Sequence, residues 1–206
     1  MNDGLMVIAL VLGGVALASA QTGGAVVGKA APEFTLVDSG GASHALSSFR
    51  GKHVVLEWVN FGCPFVAKHY DSGNMQRLQK AYTGKGVVWL SINSSGEGKQ
   101  GYYTPAEVNA LLKEKGSAPS GYLIDTSGKV GHLYGARTTP HMFVIDPAGT
   151  VVYAGGIDDR PSTDAADIAG ATNYVSAALD QALSGKPIAT AVTKPYGCSV
   201  KYSSAE

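Results

Sequence analysis

Runs of apolar residues, bounded by polar or glycine-rich stretches, recur along the chain and predict β-strands. The run from Val54 to Val59 is apolar except for one acid, as expected of a strand buried at the centre of a sheet. Alternating residues from Glu33 to Val37, followed by a Gly40-Gly41 turn, predict an edge strand. The other predicted strands are Val87 to Asn93, Tyr122 to Ile124, and a hairpin formed by Met142 to Ile145 and Val151 to Tyr153.

Helical signals lie between these strands. Cys63-Pro64 opens a first helix, the run from Asp71 to Asn74 interrupts it, and a second helix follows with its apolar residues on one face. Thr104, followed by Pro and then by Glu at the third position after it, marks the start of a third helix that we expect to end near Lys115. A final helix is predicted from Asn173 to Ser184.

The elements follow the order β, α, β, α, then a hairpin and a last helix, which predicts an α/β fold. We expect a central mixed sheet with a parallel core, antiparallel strands beside it and helices on both faces. Residues 31–184 form this domain, after a flexible Gly- and Ala-rich lead-in at residues 21–30. Ser94 to Tyr103 predicts a surface loop. Residues 185–206 lack periodicity and predict an irregular tail, which carries Cys198.

The composition supports one well-buried core, because 45% of the 206 residues are apolar and only 16% are charged. The formal net charge is zero, and basic residues do not cluster. The sequence therefore provides no electrostatic basis for binding nucleic acid or an anionic membrane surface.

Residues 1–20 predict a signal peptide. Leu5 to Leu17 is apolar, and the small residues Ala18-Ser19-Ala20 precede Gln21 as a cleavage site would. The apolar run is short for a membrane span. Its N-terminal flank contains Asp3 and no Lys or Arg, so an uncleaved anchor and a misplaced start codon are the alternatives. We expect an extracytoplasmic protein, periplasmic or secreted, with no stable membrane span after cleavage.

Two cysteines, Cys63 and Cys198, lie beyond the predicted cleavage site. Because thiols oxidise outside the cytoplasm, an even pair predicts a disulfide, and the sequence leaves open whether that bond is permanent or cycles. Cys63 precedes Pro64 at the start of a helix, where unpaired amides and the helix dipole stabilise a thiolate. Cys63 is thus a candidate nucleophile toward disulfides or peroxides. The alternative is a small buried cysteine at a strand end.

Several motifs resemble those of a known superfamily. Cys63-Pro64-Phe65-Val66 resembles the Cys-x-x-Cys motif of thioredoxins, with Val66 in place of the second cysteine, and Thr139-Pro140 resembles their cis-proline loop. Ala31-Pro32-Glu33-Phe34 and Leu46 to Lys52 resemble the start of the redoxin branch, which is peroxiredoxin-like and of the AhpC/TSA type. More closely, the chain resembles exported redoxin-domain proteins in three segments: Gly62 to Val66, Lys68-His69-Tyr70 and Tyr196-Gly197-Cys198. The resemblance covers residues 30–200 and implies a thioredoxin-like fold.

The resemblance also implies a role for Glu57. Glu57, six positions before Cys63, stands where thioredoxins keep a buried acid that carries protons. Burial would favour the neutral form of this carboxyl, and an exposed acid at a strand edge is the alternative. Because Val66 removes the local partner, Cys198 is the candidate resolving thiol, provided that the tail can fold back to Cys63.

The predicted docking surface consists of Thr139, Pro140, Asn60 and Pro64. A cis bond before Pro140, implied by the resemblance, would present the backbone of Thr139 to whatever docks at the reactive cysteine. The chain departs from the peroxiredoxin pattern, which has Pro and Thr or Ser where Leu56 and Asn60 stand. This departure weakens a peroxidase interpretation, although Asn60 can still hydrogen-bond a substrate or a thiolate.

The leading hypothesis is an extracytoplasmic thiol-disulfide oxidoreductase or redoxin-type thiol antioxidant. Its partners would be protein thiols, protein disulfides or small peroxides, with an external thiol as electron donor and no organic cofactor. A second hypothesis is a non-enzymatic binding module in which a permanent disulfide joins Cys63 to Cys198.

A copper-handling chaperone is the least favoured alternative. His69 lies off the helical face of Cys63, His141 could approach Cys63, and the Cys-x-x-x-Cys pattern of such chaperones is missing. We therefore expect no metal site at Cys63. The acidic pair Asp158-Asp159, near Asp164 and Asp167, predicts a solvated loop and not a calcium site.

Overall fold

The computed structural model describes residues 24–203, so the predicted signal peptide lies outside the described residues. Within that range the chain forms both strands and helices. The strands are β1 Thr35–Asp38, β2 Ser43–Ala45, β3 Val54–Trp58, β4 Val88–Asn93, β5 Gly121–Ile124, β6 Thr138–Thr139, β7 His141–Ile145, β8 Val151–Gly155 and β9 Cys198–Ser199. The α-helices are α1 Pro64–Asp71, α2 Asn74–Thr83, α3 Pro105–Glu114, α4 Lys129–Tyr134 and α5 Tyr174–Leu183.

One mixed sheet of seven strands, in the order β2-β1-β5-β4-β3-β7-β8, forms the centre of the fold. Strands β3, β4 and β5 run parallel, and antiparallel strands extend this core on both sides. β3 lies between β4 and β7 and is buried along its full length. The predicted fold class is confirmed: this is a thioredoxin-like α/β fold.

The sheet separates two apolar clusters, each covered by helices. Residues of α1, α2, α3 and α5 pack into the cluster that contains Cys63. On the opposite face, Val130 and Tyr134 of α4 pack against Trp58 and Phe143. No helix within residues 24–203 is both long enough and apolar enough to cross a membrane.

The helix boundaries follow the local signals in the sequence. Gly73, with φ of 71°, separates α1 from α2 inside the predicted interruption. Thr104 caps α3 through the predicted capping box with Glu107, and the Asn173 side chain caps α5. These ends were predictable because each depends on a side chain or a glycine close to it in sequence.

The prediction of β1 as an edge strand is wrong. β1 pairs with β5 on one side and with β2 on the other, because the turn at Gly41, with φ of 89°, folds a short return strand against it. The short helix α4 was also missed. It lies between Gly128 and Gly135, both at positive φ, and six residues are too few to show a helical period.

The tail crosses the domain and ends beside β6. Val192 forms a bridge with Ala154 of β8, so the tail first runs along the outer margin of the sheet. Cys198 and Ser199 then pair antiparallel with Thr139 and Thr138. At the other end of the described chain, Ala25 and Gly28 of the predicted lead-in donate backbone hydrogen bonds to Tyr134 and Val151.

Candidate active site

Cys63 lies at the N-terminus of α1, at the point where the chain leaves the buried strand β3. It is the N-cap residue, with extended backbone, and Pro64 occupies the first turn. The carbonyl of Cys63 accepts hydrogen bonds from the N–H groups of Val66 and Ala67. The residue is 0% exposed, so the tail and the loops around it cover the sulfur completely.

The structure brings the two cysteines together. Both are free thiols, and Cys63 Sγ lies 2.6 Å from Cys198 Sγ although 135 positions separate them in sequence. Cys63 Sγ is also 3.1 Å from the carbonyl oxygen of Thr139. Cys198 pairs directly with Thr139 in the β6–β9 ladder, which places Cys198 beside Cys63. The pair is in position to form a disulfide.

The two thiols differ in acidity. Burial opposes ionisation of Cys63, but hydrogen bonds from Cys198, Thr139 and Val66 together outweigh this effect and lower the pKa of Cys63. For Cys198, burial and the neighbouring Cys63 act in the same direction and raise its pKa to about 11. Cys63 is therefore the sulfur that ionises first, as its place at a helix N-terminus predicts.

The loop that borders the pair contains a cis Thr139–Pro140 bond, as the resemblance implies. Gly197, one residue before Cys198, has φ of 135° and lies so close to Thr139 that a Cβ atom would overlap the Thr139 carbonyl oxygen. Only glycine allows the tail to approach the loop this closely. The sequence marks this glycine only as part of the Tyr196-Gly197-Cys198 motif.

Asn60 organises the turn before Cys63. Its side-chain oxygen accepts from the Gly62 N–H at 2.9 Å, and its amide nitrogen donates to the Gln100 side chain at 2.9 Å. Residues 94–103, predicted as a surface loop, thus contact the buried turn beside the site. The docking role assigned to Asn60, like that of Pro64, stays a prediction.

Glu57 is fully buried in β3, within a network of hydrogen-bond donors. Tyr70 Oη lies 2.9 Å from Oε1, while Trp89 Nε1 and Ser91 Oγ lie 2.8 and 2.9 Å from Oε2. Burial raises the pKa of Glu57, and these donors, together with Gln79, offset the increase only in part. The carboxyl therefore retains its proton to a higher pH than an exposed glutamate does.

The structure corrects two expectations, one for His141 and one for Asp158. The expectation that His141 could approach Cys63 is wrong, because its ring packs on Phe143, on the opposite face of the sheet. Asp158 is not in a solvated loop: it is buried, near Lys68 and His69 of α1. Its local sequence is polar, and only the fold brings α1 over it. Across residues 24–203, no three His, Cys, Asp or Glu side chains are grouped so that they could hold a metal ion.

The fold and the site define a redox protein of the redoxin type within the thioredoxin-like superfamily. Its marks are a cysteine at a helix N-terminus, a cis-proline beside it and a second thiol in contact with the first. The chain belongs to the AhpC/TSA family, which it matches over residues 27–154. It is accordingly an oxidoreductase.

Solved structures show the same architecture. A hypothetical protein from Sinorhizobium meliloti 1021 is 29% identical with a TM-score of 0.74, over 91% of this chain and 100% of that one. An uncharacterized conserved protein from Geobacillus kaustophilus is also 29% identical, with a TM-score of 0.75 over 88% of this chain and 94% of that one. A putative protein disulfide isomerase from Bacteroides thetaiotaomicron, 18% identical, shares the fold with a TM-score of 0.56 over 78% and 91% of the two chains. Among curated proteins, none matches this sequence.

Proposed function

We propose that the chain is an extracytoplasmic thiol-disulfide oxidoreductase in which Cys63 and Cys198 form a redox-active pair. The observation that carries the proposal is the 2.6 Å contact between the two sulfurs, made by a tail strand that pairs with the cis-proline loop. Cys63 is the nucleophile, because it lies at the N-terminus of α1, which stabilises a thiolate whether or not the tail is in place. The predicted signal peptide supports the extracytoplasmic location.

The reaction moves two electrons from the pair to a disulfide substrate. The Cys63 thiolate attacks one sulfur of the substrate, forms a mixed disulfide and expels the other sulfur as a thiolate. The Cys198 thiol loses its proton and attacks Cys63 Sγ, which closes the Cys63–Cys198 disulfide and releases the remaining substrate thiolate. Two equivalents of an external thiol then reduce the disulfide and are themselves oxidised.

The tail must move during this cycle. Cys63 is covered completely, so it cannot meet a substrate sulfur while β9 lies in place. Lifting β9 would uncover Cys63 and, at the same time, the backbone of Thr138 and Thr139. The docking role of Thr139 and Pro140 then follows, because a substrate strand could pair where β9 had been.

Glu57 completes the proposal as a proton carrier. Its neutral form is favoured by burial, while four hydrogen-bond donors stabilise the anion once the proton leaves. A carboxyl with a raised pKa loses and regains its proton nearer to neutral pH than an exposed carboxyl does. Its role is to modulate exchange and not to bind substrate.

A second function is favoured by the full burial of Cys63: a binding module whose disulfide is a permanent staple. The reduction potential separates the two functions. A redox-active pair should have a reduction potential, measured by equilibration with glutathione, well above about −300 mV. Structural disulfides typically have potentials below that value. In addition, Cys198→Ser should accumulate mixed disulfides at Cys63 when mixed with a disulfide-bonded protein, and the Cys63→Ser variant serves as the control. A potential below about −300 mV, without trapped species, would contradict the redox function.

A further inference from the structure

A buried polar cluster lies where the tail crosses α1. Lys68 and His69 of α1 and Asp158 of the loop after β8 are all buried. Tyr196 joins them from the tail, two residues before Cys198. We call these four residues the Tyr196 cluster. None of them has a part in the exchange chemistry described above.

The direction of hydrogen bonding through the cluster follows from Asn74. Its Nδ2 can only donate, and it lies 2.9 Å from His69 Nδ1, while its Oδ1 accepts from Arg77. Burial lowers the pKa of His69 to about 4, so at neutral pH the ring is uncharged and carries its proton on Nε2. His69 Nε2 therefore donates to Tyr196 Oη at 3.2 Å, and Tyr196 donates in turn to Asp158 Oδ1 at 2.5 Å.

Lys68 balances the charge of the cluster. Its Nζ lies 4.0 Å from Asp158 Oδ2 and donates to the carbonyl of Arg160 at 2.8 Å, while the Arg160 N–H donates to Asp158 Oδ1 at 2.9 Å. Phe65 packs edge-on against the Tyr196 ring. A buried carboxylate is costly unless it is paired and hydrogen-bonded, and both conditions are met here. The bond from Tyr196 to Asp158 is charge-assisted, and such bonds are stronger than those between neutral groups.

The Tyr196 cluster includes the tail residue two positions before Cys198. Tyr196 is fixed in the cluster, Gly197 passes against Thr139, and Cys198 pairs in a ladder of only two residues per strand. So short a ladder is a weak constraint by itself. The position of Cys198 therefore depends on an anchor outside the ladder.

We propose that Tyr196, His69 and Asp158 are positioning residues that hold the Cys198 thiol against Cys63 and so raise the rate and extent of disulfide closure. The inference rests on the proposed function in that it takes the pair to open and close. An anchored tail gives Cys198 a high effective concentration at Cys63, whereas a released tail must first lose conformational freedom.

The test is the equilibrium between the Cys63–Cys198 disulfide and glutathione. Tyr196→Phe retains the ring and removes the hydroxyl. We expect the equilibrium constant for closure to fall about tenfold, which for a two-electron couple raises the potential by about 30 mV. Tyr202→Phe is the matched control, because Tyr202 also lies in the tail and donates one hydrogen bond, to the Ala136 carbonyl at 2.7 Å. We expect Tyr202→Phe to change the constant less than about twofold.

A second pair of variants tests the relay through His69. His69→Leu should shift the glutathione equilibrium as Tyr196→Phe does, whereas His69→Gln retains an N–H donor and should restore most of the wild-type value.

Two results would overturn the inference: equal shifts for Tyr196→Phe and Tyr202→Phe, or a lower unfolding temperature for Tyr196→Phe with an unchanged glutathione equilibrium. A wild-type pair too reducing for glutathione would defeat the proposed function alone, because the Tyr196→Phe shift could still be measured against dithiothreitol.

Discussion

Thr139 and Cys198 are direct partners in an antiparallel ladder, so the chain's own tail occupies the backbone edge next to the cis-proline. This pairing places the sulfur of Cys63 beneath the tail that carries the sulfur of Cys198. Cys63 is fully covered, while Cys198 is half-buried. The arrangement has consequences for which sulfur an external reagent reaches first.

Sulfite should cleave the oxidised pair by attack on Cys198. The attacked sulfur becomes an S-sulfonate and the other leaves as a thiolate. Cys63 is both less accessible and, at the N-terminus of α1, the better leaving group. Acid quenching, pepsin digestion and mass mapping would locate the sulfonate, which we expect on Cys198 with roughly tenfold or greater preference. Protein unfolded in urea is the control and should lose the preference. A sulfonate mainly on Cys63 would show that the tail opens before attack.

Gly197→Ala should weaken disulfide closure, because the added Cβ would overlap the Thr139 carbonyl and the backbone lies at positive φ. The expected cost to tail docking is roughly 1–3 kcal/mol, measured as a shift in the glutathione equilibrium. Gly185→Ala is a matched control at the start of the tail: it also has positive φ, but a Cβ there meets nothing within 4 Å. If both variants leave the equilibrium unchanged, the close approach at Gly197 does not determine the position of Cys198.

Much of this site could be predicted from local sequence, and the rest required the fold. A cysteine before proline at the end of an apolar run predicts a helix N-terminal thiol, and a lone acid within that run predicts a buried carboxyl. That Cys198 would be the partner of Cys63 could be predicted, because Val66 removes the local partner and the chain has one other cysteine. The course of the aperiodic tail could not, because it depends on contacts with distant residues. The same holds for Asp158, which is polar in sequence and buried only through Lys68, His69 and Tyr196.

Peroxide turnover should be slow compared with reduction of a protein disulfide. Leu56 and Asn60 stand where peroxiredoxins have Pro and Thr or Ser, and the Asn60 side chain is engaged by Gly62 and Gln100. We expect Cys63-dependent hydrogen peroxide consumption, with a dithiol donor, to run at least about tenfold below insulin disulfide reduction at equal enzyme concentration. Cys63→Ser gives the background for both assays. Faster peroxide consumption would reverse this order and assign the site to peroxide chemistry.

Glu57→Gln should slow thiol-disulfide exchange and flatten its pH dependence. The expected loss is on the order of tenfold, below the effect of a group that contacts the reacting atoms. Stopped-flow exchange rates between pH 5 and pH 9 would measure it. The neutral amide preserves the size of the side chain, so a rate and pH profile identical to wild type would limit Glu57 to a structural role.

The stability of the same variant gives an independent check on the state of the carboxyl. Because burial raises the folded-state pKa of Glu57 above its ordinary value of 4.5, its neutral form stabilises the fold below that value. This contribution is lost as the pH rises from 4.5 through the folded-state pKa. The Glu57→Gln variant lacks the titration, so its free energy of unfolding, measured in urea, should rise relative to wild type over that pH range. A difference between the two proteins that does not change with pH would contradict a raised pKa at Glu57, and with it the proton-carrying role.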